Sequence, residues 1–226
     1  MKITWLGQAG LMFETENTRI ILDPYLSNSC LKLNPDSYRR VKADEGLFLL
    51  KPDIIICTHN HQDHYDEESL DPFLRGENAV TCIVSPSVFA SIRHYGPKHN
   101  YVYFPPRTVW TQNNIKITSV KAVHSDPDAI GVIIEAEDKK FYVTGDTLYN
   151  EDIFTYLPED IDVLFMPVNG VGNNMNFTDA KNFAAKVNAK KVVPLHLGML
   201  DDRSVAEFEY ETAVIPEIYK EIRLPL

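Results

Sequence analysis

The chain has 226 residues and a formal net charge of −10, from 22 basic and 32 acidic side chains. That length can bury a core without disulfides or structural metals. The acidity, with no Lys/Arg run longer than a pair such as Arg39-Arg40 or Lys139-Lys140, excludes a broad phosphate-binding surface and so nucleic-acid partners.

In chain order, short apolar runs bounded by turn residues read as strands by length and β-branched content: "ITWL", "LMFE", "RIILD" and "DIIICT" come first. A helical pattern follows at "DEESLDPFL", where Asp66 is placed to cap and Glu67 and Glu68 favour the first turn. "TCIVS" is again a strand, "SPSVFASIRHY" a helix, and "YVYF", "IKITSV", "GVIIEA" and "KFYVTG" four more strands. A short helical stretch at "DIFTYL" precedes the strand "VLFMPV". The clearest helix is "TDAKNFAAKVNA", with Ala180, Phe183, Ala184 and Val187 in one apolar stripe and Thr178 or Asn176 as its cap. The strand "KVVPLH" comes next, and a last helix is expected over much of Ser204 to Lys220, bent or ended by Pro216. The order suits two sheets packed face to face with helices outside, or a doubly wound single sheet, in one domain spanning 1–226.

No stretch reaches the roughly 18 apolar residues of a membrane span, and charge and glycines interrupt the opening "MKITWLGQAGLMF". The three cysteines, Cys30, Cys57 and Cys82, lack the paired spacing of a zinc knuckle or redox motif and read as buried free thiols in a reducing compartment. The expectation is a soluble cytoplasmic protein without a membrane partner.

Residues 57–66, "CTHNHQDHYD", put three histidines and two aspartates directly after an apolar strand. His59 and His61 are two apart, so their imidazoles project to one side if the strand direction persists, and one cation can take both. Asp63 and His64 follow, and a bend into the helix at Asp66 turns them toward a second position. That pattern suggests two metal ions. A dinuclear hydrolytic site needs further ligands, a bridging carboxylate among them. Four strand ends each offer one: Asp23 in "RIILDPY", His124 in "SVKAVHSD", Asp146 in "KKFYVTGDT" and His196 in "KKVVPLHLG". His94 and His99, at a helix end and in a Pro/Asn loop, read as surface residues.

These motifs, "ILDPY", "THNHQDH", "AVHSD", "VTGDT" and "VPLHLG" in that order, resemble those of the metallo-β-lactamase fold hydrolases across the whole chain. The resemblance implies an α/β protein with an αββα sandwich and the metals at one edge. It also implies one metal at His59, His61 and His124, the other at Asp63, His64 and His196, with Asp146 bridging and Asp23 in support. Asp63 and Asp146 are then the carboxylates nearest the chemistry.

The stretches "ITWLGQAGLMFET", "ILDPYLSNS", "PVNGVGNNMNFTDA" and "HLGML" are most similar to the ascorbate-6-phosphate lactonase-like branch. The expected function is water activation by two divalent ions, zinc or manganese, against a small ester, lactone or phosphoester. A phosphodiesterase or nuclease-like hydrolase of the same fold and a non-catalytic metal-binding protein stand as alternatives. Tyr25, Arg39, Arg40, Tyr149 and Asn169 lie in loops near the ligand strands and are candidates for substrate contact, and "NGVGNNMN" offers amide donors. The expected partner is a small molecule, with homo-oligomers left open.

Overall fold

A computed structural model describes residues 1–225 of the chain. Two six-stranded mixed sheets face each other. The first takes β1 (Lys2–Gly7), β2 (Gly10–Glu14), β3 (Arg19–Leu22), β4 (Ile54–Cys57), β5 (Thr81–Val84) and β6 (Asn100–Tyr103), in that spatial order. The second takes β7 (Val109–Gln112), β8 (Ile115–Lys121), β9 (Ile130–Ala136), β10 (Lys139–Val143), β11 (Val163–Pro167) and β12 (Lys191–Leu195), stacked from β12 to β7. Strands β3 to β6 run parallel, as do β10 to β12, while hairpins make the rest antiparallel. The two-sheet expectation holds, and the doubly wound alternative does not.

The alternation of strand side chains divides the apolar residues between two cores. In β4, Ile54 and Ile56 join the inter-sheet core with Phe13, Ile117 and Phe165, while Ile55 and Cys57 pack on the other face. That outer face is covered by α1 (Glu67–Leu74) and α2 (Pro86–Ile92) through Leu70, Phe73, Val88 and Ile92. Phe13 meets Phe141 and Phe165 edge-on at centroid distances of 6.2 and 5.9 Å, joining the sheets across the middle. On the far side α3 (Phe177–Val187) lays Ala180, Phe183 and Ala184 against the second sheet, with Phe183 6.4 Å from the Tyr142 ring. Helices therefore flank both sheets.

Several local readings change. Asn176, not Thr178, caps α3, accepting from the backbone N–H groups of Thr178 and Asp179 at 2.9 and 3.0 Å. Asp66 precedes α1 but does not cap it, because its carboxylate accepts from Ser29 Oγ at 2.9 Å, Gln62 Nε2 at 3.1 Å and Ser69 Oγ. "DIFTYL" lies in a 3₁₀ turn, Glu151–Tyr156. Strand β7, "VWTQ", went unread because it is short and half-exposed at a sheet edge.

The expected helix over Ser204 to Lys220 is absent, and only Val205–Glu207 forms a 3₁₀ turn. The remainder runs extended along two sheet edges: Val192 N–H donates to Thr212 O at 3.1 Å and Val214 N–H to Val192 O at 2.8 Å. Tyr219 and Ile222 N–H then reach Trp5 O and Ile3 O at 2.7 and 2.8 Å. β-Branched residues and Pro216 disfavour a helix there, and the open edges of β12 and β1 supply the partners.

Candidate metal centre

The ligand-type residues all leave the carboxyl ends of strands at one rim of the sandwich. Asp23 follows β3, the loop Thr58 to His64 follows β4, His124 follows β8, Asp146 follows β10 and His196 follows β12. The sharp exit after β10 depends on Gly145, which sits at φ +61; a Cβ there would lie 2.5 Å from the Ile130 carbonyl oxygen. Asp23 and His196 also adopt positive φ, 43 and 73°, a strained backbone at the rim.

Two triads result, His59–His61–His124 and Asp63–His64–His196, with Asp146 able to join His59 and His64. The His61 and His124 rings lie 4.7 Å apart, and His124 Nε2 faces His61 Nδ1 at 3.1 Å. In the second triad His64 Nε2 and His196 Nε2 face each other at 3.4 Å, with Asp63 Oδ2 3.3 Å from His196 Nε2. Nitrogen lone pairs aimed at one another repel unless a proton or cation lies between them. Asp146 Oδ2 is 3.2 Å from His196 Nε2, 3.3 Å from His64 Nε2 and 3.9 Å from His124 Nε2. Asp146 Oδ1 and His59 Nε2 are buried with no hydrogen-bond partner among the described residues, an arrangement a cation satisfies. The donor set therefore fits divalent metals.

Supporting groups hold the clustered side chains from behind. Asp23, fully buried, accepts from Thr58 N–H at 2.8 Å and Thr58 Oγ1 at 2.6 Å, and its Oδ2 lies 2.8 Å from His64 Nδ1. This leaves His64 Nε2 to face the cluster. His124 Nδ1 lies 3.1 Å from the Asn173 carbonyl, and Asn174 Nδ2 donates to Asp146 Oδ2 at 2.8 Å.

Electrostatics follow this geometry. Burial disfavours charge on His64, yet the carboxylates of Asp146, Asp63 and Asp23 outweigh it and hold the ring well above the usual imidazole range. His196 is likewise pushed up to about 10 against its own burial, by Asp146 and Asp63. Burial pushes Asp63 and Asp146 up, but the adjacent His64 and His196 win and hold both below the usual carboxylate range. His59 and His124, dominated by burial, fall below the ordinary value. The second triad is thus a place where carboxylates demand positive charge.

The rim opens into a cleft of about 440 Å³ whose lining includes Gln8, His61, Asp63, Asp146, Asn169 and Asn174. Asn169 is the one proposed substrate contact that lines it. Tyr25 does not: it is fully buried with Cys30 and Met199. Arg40 is engaged elsewhere, with Asp202 at 3.2 Å and the carbonyls of Asp36, Tyr38 and Leu200. Arg39 is spent on the carbonyls of Tyr25 and Val41 and on Tyr219 Oη. Tyr149 packs on Phe154 and Phe183, its hydroxyl on Glu151. Of the outlying histidines, His94 is exposed, but His99 is buried: Nδ1 accepts from Val80 N–H at 3.2 Å and Nε2 donates to the Leu74 carbonyl at 2.8 Å. Those bonds pin the end of α1 to the start of β5.

Residues 2–196 match the protein family described as "Beta-lactamase superfamily domain". The chain belongs to the metallo-β-lactamase superfamily. Relatives named "UPF0173 metal-dependent hydrolase" include one from Flavobacterium johnsoniae, 30% identical over 227 residues covering 95% of this chain and 91% of that protein. Another, from Enterococcus faecalis, is 29% identical over 193 residues, 80% of this chain and 79% of that protein. Among solved structures, Igni18, a metallo hydrolase from Ignicoccus hospitalis, superposes with a TM-score of 0.78 at 18% identity, over 98% of this chain and 97% of that one. The isothiocyanate hydrolase from Delia radicum gut bacteria gives 0.75 at 18% identity, over 99 and 98%. At such identity these two structures speak to the fold alone. No helix among the described residues is long and apolar enough to cross a membrane.

Two residues that matter here escaped the sequence reading as individuals. Asn174 lies in the amide-rich "NGVGNNMN" stretch, which was a signal. Gln8, in the turn after β1, carried none.

Proposed function

We propose that the chain is a metal-dependent hydrolase of small uncharged esters or lactones, using two divalent ions held by His59, His61 and His124 on one side and Asp63, His64 and His196 on the other. The observation that carries the reading is Asp146. Its Oδ2 lies within 3.2–3.9 Å of imidazole nitrogens from both triads, while Oδ1 has no hydrogen-bond partner among the described residues. Three imidazoles with one shared carboxylate, and two imidazoles with two carboxylates, suit zinc or manganese.

Two such cations would acidify a water and polarise the bond under attack. The chain's own residues do the rest. Asp146 and Asp63 face the cleft and balance cationic charge. Asp23 fixes the His64 ring, and Asn174 holds the Asp146 carboxylate in place. Among the described residues no Lys or Arg lines the cleft. A phosphate or carboxylate on the substrate therefore gains no protein cation, which favours an uncharged lactone or ester over the phosphorylated lactone of the branch that the sequence resembles. The same feature weighs against a phosphodiesterase or nuclease, and an open cleft against the ligand triads weighs against a merely structural metal site. Three unpaired buried thiols suit a cytoplasmic setting.

The test is a screen of the metal-loaded chain against uncharged lactones and carboxylic esters, thioesters and phosphodiesters. Turnover of lactones or esters, abolished by a chelator and restored by zinc or manganese, is expected. Turnover confined to phosphodiesters, or none, contradicts the reading.

A further inference from the structure

We propose that Gln8 is a positioning residue for the metal position formed by Asp63, His64 and His196, and that it acts by fixing Asp63 with its side-chain amide. The inference rests on the two-metal reading above. Gln8 and Ala9 form the two-residue turn between paired Gly7 of β1 and Gly10 of β2. Gln8 has φ 50°, at the first central position of that turn, where positive φ favours glycine. The side chain there is set against that preference.

The backbone presets its direction. The Gln8 carbonyl accepts from Trp5 Nε1 at 3.0 Å and from His196 N–H at 3.1 Å, tying the turn to the loop after β12. The side chain is 3% exposed, and its Nε2 donates to Asp63 Oδ2 at 2.8 Å while lying against the His196 ring, 3.1 and 3.4 Å from its two nitrogens. Asp63 comes from the loop after β4 in one sheet and His196 from the strand end of β12 in the other. Gln8 thus spans the gap between the sheets at the rim, its side chain on Asp63 and its carbonyl on the His196 backbone. The other five ligands have their own anchors: Asp23 for His64, Thr58 Oγ1 for His59 at 3.1 Å, Ser125 Oγ for His61 at 3.3 Å, Asn173 O for His124 and Asn174 for Asp146. For Asp63, the Gln8 amide is the only hydrogen-bond donor other than imidazole within reach among the described residues.

Loss of this amide is therefore selective. It loosens the position holding Asp63 and leaves the His59–His61–His124 position unchanged. Groups that orient metal ligands typically account for about 10–100-fold in affinity.

The experiment compares Gln8→Met, which keeps the length and removes the donor, with Gln8→Gly, which removes the side chain and relieves the positive φ. Metal-free wild type and variants are titrated with zinc against a chromophoric chelator to resolve both binding steps, and each metal-free protein is melted. One zinc affinity should fall about 10–100-fold in both variants while the other holds, and Gln8→Gly should melt no lower than wild type. A variant with both affinities at wild-type values, or with both weakened equally, overturns the positioning role. If Gln8→Gly does not fold, Gln8→Met decides alone. Wild type that binds fewer than two zinc ions refutes the two-metal reading instead, independently of either variant.

Discussion

Asp23→Asn isolates what the buried carboxylate behind His64 does. Asp23 Oδ1 accepts from Thr58 N–H at 2.8 Å, and Oδ2 accepts from Thr58 Oγ1 at 2.6 Å beside His64 Nδ1 at 2.8 Å. An amide has one acceptor oxygen, and turning its NH₂ toward the Thr58 N–H would set donor against donor. Its oxygen therefore keeps Thr58 N–H, and its NH₂ faces His64 Nδ1. That ring nitrogen must then accept, which moves the proton to Nε2, the atom 3.3 Å from Asp146 Oδ2 and needed bare for a cation. Metal affinity at the Asp63–His64–His196 position should fall about 10–100-fold, or about 1.4–2.8 kcal/mol. Folding should lose much less, because Thr58 N–H keeps its acceptor and the Thr58 hydroxyl can turn to accept from the new NH₂. Asp23→Ala is the contrast: it strands the buried Thr58 N–H and His64 Nδ1 at about 1–3 kcal/mol each, so it should lower the melting temperature as well. Chelator competition and thermal unfolding of wild type and both variants make the comparison. Asp23→Asn with wild-type affinity beside a weakened Asp23→Ala would refute the reasoning, since Asp23 would then contribute packing and not the placement of a proton.

Asp146→Asn keeps the shape but replaces the shared carboxylate with a neutral amide, so metal content should drop and kcat/KM on an active screening substrate should fall about 10²-fold or more, with circular dichroism unchanged. His61→Ala should lose metal and activity together, whereas His94→Ala, an exposed residue 3.8 Å from Glu67, should lose neither; metal analysis and turnover of the two variants check this. Carboxylates hold His64 above the ordinary range and His196 at about 10, so a cation competes with protons for these rings. Binding should release protons, read by calorimetry in buffers of different ionisation enthalpy, and affinity should fall as pH falls. The sign is opposite for metal-free stability: the raised His196 value adds stability that is full below its ordinary value of 6.5 and lost as pH rises through about 10.

The clustering of these side chains was legible because each sits just past an apolar strand, where β-branched runs such as "DIIIC" and "KFYV" announce both the strand and its end. The two sheets were legible for the same reason, apart from the polar edge strand β7. What escaped reading depends on contacts distant in the chain. The first part of the segment after Ser204 reads as helix, but its β-branched residues and Pro216 work against one, and the open edges of β1 and β12 that claim it are distant in the chain. Tyr25 and Arg40 follow the right strands but turn inward or onto carbonyls, since a loop position does not set the direction of a side chain. His99 looked exposed in a Pro/Asn loop, but it is buried by partners at Leu74 and Val80. Gln8 was silent because its two partners lie 55 and 188 residues away and its turn reads locally as a place for glycine.

The claim on which the account turns is that Asp146 stands between two cations. Anomalous diffraction from crystals of the chain grown with manganese or zinc measures it directly. Two peaks are expected about 3.5–4 Å apart, one against His59, His61 and His124, the other against Asp63, His64 and His196, with the Asp146 carboxylate reaching both. A single peak under saturating metal, or two peaks with Asp146 bound to neither or to one alone, would contradict it.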